Sequence, residues 1–97
     1  MKIQKTSRGF AFGKFTDLYG KKCSLQKSSL ATDNAIWFGI DDAEPKIMAS
    51  KIIHGGTGWA DYPIPDDVSI TTRMHLSREQ VGKLLPVLQK FVDTGDI

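Results

Sequence analysis

A chain of 97 residues and 10.7 kDa can build one modest core, so a single domain is expected. Its 40% hydrophobic and 25% charged residues exclude a disordered or collagen-like chain. No apolar run approaches the roughly 18 residues of a membrane span, and no leader follows Met1–Lys5, so a cytoplasmic protein without a membrane partner is expected. The net charge of +2 is uneven, with seven Lys/Arg against Asp17 in residues 1–30 and seven acids against Lys46 and Lys51 in residues 31–67. The basic third either attracts phosphates or pairs with the acidic middle of this chain or of a second copy. A pI of 8.8 falls short of a nucleic-acid footprint, so no nucleic-acid partner is expected.

Gly9 to Phe15 is short and aromatic-rich, which suits a strand. Asp17-Leu18-Tyr19-Gly20 reads as a turn opened by Asp and closed by a glycine able to take positive φ. Lys21 to Gln26 returns, with Cys23 and Leu25 on one face, so residues 9–26 form a β-hairpin. Ala35 to Ile40 is a continuous apolar run, the pattern of a central strand. The acidic stretch Asp41 to Glu44 turns at Pro45, and Lys46 to Ile53 is either a strand or a helical turn. His54 to Gly58 is a glycine-rich loop, and Tyr62 to Asp67 an extended, Pro-bearing approach. Val68 to Leu76 alternates, with Val68, Ile70, Thr72, Met74 and Leu76 on the apolar face and Ser69, Thr71, Arg73 and His75 on the polar one.

A helix over about 78–93 closes the chain. Ser77 and Gln80 have the spacing of a capping box, Leu76 and Val81 that of a hydrophobic staple, and Gly95 that of a left-handed stop. Val81, Leu84, Leu85, Leu88, Phe91 and Val92 make one apolar stripe, and Pro86 presses back on Gly82, the residue that best tolerates it. The fold class is therefore α+β, an antiparallel sheet of four to five strands followed by one C-terminal helix. One helix on one sheet leaves apolar surface uncovered, so a homo-oligomer is expected through the stripe and the face of Ala35 to Ile40.

The sequence offers little for catalysis. With Cys23, His54 and His75 as its only cysteine and histidines, it excludes an internal disulfide and a zinc centre. Cys23 falls on an apolar strand face, and Gly55-Gly56-Thr57-Gly58 lacks the Lys-Ser/Thr ending of a phosphate loop. The acids are scattered through turns. No enzyme and no cofactor are expected.

Binding chemistry is better represented. Phe10, Phe12, Phe15 and Phe38 are expected in the core, whereas Trp59 is the aromatic that a core explains least. Arginine forks and aromatic plates together suit nucleotides. The candidate ligand site is Arg73, His75 and Ser77 where the last strand meets the helix start, with Trp37 and Trp59 to stack a base and Arg8 as a second cation.

Tyr19 to Ala31, Ala35 to Gly39, and Thr72 to Leu76 opening a helix together resemble small bacteriophage and prophage proteins. Two anti-defence groups are similar in outline. Thoeris anti-defence proteins have a β-core with C-terminal helices, oligomerise, and sequester cyclic nucleotide signals in pockets at subunit interfaces. Anti-CRISPR proteins bind a defence nuclease complex, often as acidic mimics of nucleic acid. The mildly basic chain departs from the acidic pattern. The resemblance assigns no residue; it implies a homo-oligomeric antagonist in the host cytoplasm that takes up a nucleotide-type small molecule, or alternatively a protein inhibitor of a bacterial defence protein or a phage adaptor.

Overall fold

The computed structural model describes residues 1–29 and 34–97; Leu30 and Ala31, which end the Tyr19 to Ala31 segment, lie outside the described residues. The chain divides into two compact units, one of Met1–Asp41 with Arg73–Ile97 and one of Asp42–Thr72.

The larger unit is α+β. Strands β1 (Ile3–Lys5), β2 (Ala11–Thr16), β3 (Lys22–Lys27), β4 (Ala35–Ile40) and β7 (Arg73–Ser77) form one five-stranded sheet in that spatial order. Every neighbouring pair is antiparallel. Helix α1 (Arg78–Thr94) follows β7 directly. The β2–β3 hairpin forms as its turn residues require. Asp17 Oδ1 accepts from the Tyr19 and Lys21 amides at 2.9 and 2.8 Å, and Gly20 takes φ +78°. The strand expected from Gly9 begins at Ala11, because Thr6 to Phe10 is itself a turn: Phe10 N donates to Thr6 Oγ1 at 3.0 Å. This turn adds β1, which carries no alternation in its three residues to announce it.

Of the expected Val68 to Leu76 strand only Arg73 to Leu76 pairs, in a strand that runs on to Ser77. Its ladder on β4 runs from Ala35↔Ser77 to Gly39↔Arg73, and β4 ends one residue later at Ile40. Among the described residues no strand pairs with Val68 to Thr72, and Val68 and Ile70 are exposed despite their alternation.

The registers sort the sheet into two faces. Ile36, Phe38, Met74 and Leu76 share one with Cys23, Leu25, Gly13 and Phe15. The other carries the row Phe12, Gln26, Trp37, His75 and the row Lys14, Ser24, Gly39, Arg73. Helix α1 lies over the first face, its capping box closed by both Ser77–Gln80 bonds and its end by Gly95 at φ 78°. A cleft of 260 Å³ opens between Phe15, Leu25 and Phe38 on the sheet and Leu84, Leu85 and Leu88 on the helix.

This arrangement leaves very little core. Among the described residues Cys23 and Ala35 are the buried apolar side chains, and no residue of α1 is buried. Phe10, Phe12 and Phe38 are only half-buried and Phe15 is exposed, against the expectation that they fill a core. The reason is coverage: one helix shields only part of a five-stranded face.

In the smaller unit, β5 (Lys46–Met48) and β6 (Trp59–Asp61) form an antiparallel pair joined by a 3₁₀ turn at Ala49–Lys51 and the glycine loop. Lys46 to Ile53 is thus both a strand and a helical turn. Lys46 and Asp61 face each other across the pair and form an ion pair, which raises the lysine pKa and lowers the carboxylate. A Cβ on Gly56 would meet the Ala49 carbonyl oxygen at 2.9 Å, so this loop glycine is required by backbone packing.

Candidate functional site

Trp37 and His75 are cross-strand partners on the polar face, their ring centroids 5.1 Å apart and tilted by 50°. Arg73, two residues before His75, lies on the same face. Its guanidinium carbon sits 5.3 Å from the Trp37 ring centre, within cation–π range. Its NH2 group donates to Asp41 Oδ1 at 3.2 Å. Asp41 reaches this face because it lies two residues beyond Gly39, in phase with Trp37.

The Asp41 carboxylate gathers the rest of the cluster. Ser24 Oγ donates to Oδ1 at 2.7 Å, and Lys14 Nζ donates to Oδ2 at 3.0 Å. The Ser24 hydrogen bond, then Lys14 and Arg73, hold its carboxyl below the usual value. Beside it a cleft of 580 Å³ is lined by Lys14, Phe15, Thr16, Lys22, Cys23 and Asp41, within the size range of small-molecule sites. Two donors in the cluster are buried without a hydrogen-bond partner, Trp37 Nε1 and Arg73 Nε. A buried unmet donor costs about 1–3 kcal/mol, and both of these lie on the one stacked Arg–Trp contact.

Of the six residues expected at the site, the structure brings together Arg73, His75 and Trp37. Ser77 lies four residues further along β7, about 13 Å from Arg73 at strand spacing, with its hydroxyl committed to Gln80 N. The expected joining of Arg73 to the helix start therefore does not occur. Ala35, paired with Ser77, instead lines a separate 290 Å³ cleft with Lys27, Asn34 and Arg78. Arg8 lies in the β1–β2 turn at the opposite edge of the sheet, stacked on Phe10 at 5.6 Å. Trp59 belongs to β6 of the smaller unit, where it is 71% exposed.

Sequence reasoning missed Asp41, Ser24 and Lys14. Asp41 reads as a turn acid, and only the registers of the strands reveal that Lys14 and Ser24 share a row with Arg73 and that Asp41, two residues past Gly39, falls on the same face. Burial raises the Cys23 pKa, with Asp17 and Asp41 adding to it, and a protonated thiol is a poor nucleophile. Among the described residues no three His, Cys, Asp or Glu side chains could hold a metal ion. No helix among them is long and apolar enough to cross a membrane. Compared with protein-family models, curated proteins and solved structures, the chain matches none.

Proposed function

We propose that this chain is a non-catalytic binding protein for a nucleotide-type ligand, which it sequesters in the manner of the phage anti-defence proteins it resembles. The supporting observation is the pair of buried, unpartnered donors, Trp37 Nε1 and Arg73 Nε, on a stacked arginine–tryptophan contact. A nucleotide matches both halves of this surface. Its base offers acceptors and a flat face to Trp37 and His75, and its phosphate is drawn by Arg73 and by the cationic cleft of Lys14 and Lys22. Asp41 keeps the arginine fork oriented and is outnumbered by the cations around it.

Calorimetry with cyclic di- and trinucleotides and cyclic ADP-ribose isomers tests this reading. Wild type should bind at least one member and return it chemically unchanged. Arg73→Ala should lose about ten- to a hundredfold in affinity, the value of one charge-assisted contact. Trp37→Phe keeps a ring but removes the donor, and should lose about tenfold. If no member binds at about 100 μM, the nucleotide reading fails and direct inhibition of a defence protein replaces it.

A further inference from the structure

The apolar side of α1 is uncovered. Leu85 is 60% exposed and Leu88 and Phe91 are each 54% exposed. The chain exposes 8128 Å². A compact monomer of 10.7 kDa exposes about 5,500 Å², and two independent bodies of the sizes of the two units about 6,500 Å². The excess of roughly 1,600–2,600 Å² is spread over both units, and it is as large as the area one protomer contributes to an obligate interface.

The geometry says what fills it. Five strands spaced about 4.8 Å apart make a face about 20 Å wide, and one helix covers about 10 Å of it. The apolar face has room for two helices, and the larger unit supplies one, α1, at the β7 edge. An open cleft of 260 Å³ between Leu84, Leu85 and Leu88 and the side chains of Met1, Phe15, Leu25 and Phe38 marks the part of that face that α1 leaves uncovered.

We infer that the cleft receives α1 of a second copy of this chain, giving a two-fold dimer with antiparallel helices over the apolar faces. Isologous pairing satisfies both copies with one surface, so each helix fills the groove of the other. The charges agree with an antiparallel arrangement. By sequence, the start of the helix has a net positive charge (Arg78, Lys83, Glu79) and its end a net negative one (Lys90, Asp93, Asp96), so an antiparallel pair places ends of opposite net charge side by side while Lys83 and Lys90 face away from the stripe. Antiparallel helix dipoles also align head to tail. The polar face with Arg73 and Trp37 lies on the reverse of the sheet, so the dimer does not depend on the ligand reading.

Sedimentation equilibrium at tens of micromolar should give the mass of two 10.7 kDa chains. The thermal midpoint should rise with protein concentration, as for any dimer whose folding and association are coupled. Leu88→Asp should abolish the dimer, and Lys90→Gln, on the opposite side of the helix, should leave it intact. Leu88 also lines the cleft against the sheet, so if Leu88→Asp unfolds, the wild-type mass and the concentration dependence of its midpoint decide the question. A wild-type mass of one chain, a midpoint independent of concentration, or a Leu88→Asp protein that remains dimeric would overturn the inference.

Discussion

Asp41 shows how a single residue organises a face. It stands just past a strand in an acidic stretch and looks like an ordinary turn acid, yet its carboxylate, 15% exposed, holds Ser24, Lys14 and Arg73 together. The folded protein binds the proton at Asp41 more weakly than the unfolded chain does, since its pKa is lowered. Its contribution to stability is therefore fully present above the ordinary carboxylate pKa of about 4 and is lost as pH falls through the lowered native value. Asp41→Asn should cost about 1–2 kcal/mol at neutral pH, discounted because Lys14 is exposed and screened. Denaturant titration should show the gap between the two proteins closing as the pH drops below about 4. A gap constant with pH would mean that the carboxylate charge does not matter. At this scale the sequence was only partly legible. Arg73, His75 and Trp37 were recognisable from their chemistry and do meet, whereas Arg8 and Ser77 were joined to them without any register to show their separation, and Trp59 belongs to the other unit.

Local chemistry carries the elements whose signals are self-contained. The Asp17–Gly20 turn and the Ser77–Gln80 capping box each depend on residues within four positions, and both form as their side chains dictate. Element boundaries that depend on a partner were not readable. Val68 to Thr72 has a strand's alternation, but β4 ends at Ile40 and leaves it nothing to pair with. The helix offers two opposed tests. Ser77→Ala removes the acceptor for Gln80 N and should cost about 1 kcal/mol. Gly82→Ala adds a Cβ that meets nothing within 4 Å and should gain about 0.5–1 kcal/mol. Both are read from thermal or denaturant midpoints. If Gly82→Ala is destabilising, the backbone relief that glycine gives to Pro86 outweighs helix propensity.

At the scale of the molecule the two faces of one sheet divide the work. The apolar face, only partly shielded by α1, is the one proposed to take a second copy, and the polar face holds the Arg73–Trp37 cluster proposed to take a nucleotide. The α+β class was legible because it depends on period-two strands and one period-3.6 stripe. The shortage of core was not, since coverage is a matter of width and area. Native mass spectrometry with a cyclic-nucleotide panel tests this division most directly, comparing wild type with Trp37→Phe. The prediction is a species of two 10.7 kDa chains carrying nucleotide for wild type, and the same two-chain species with the nucleotide lost for Trp37→Phe. Single chains alone, or equal nucleotide retention by the variant, would contradict it.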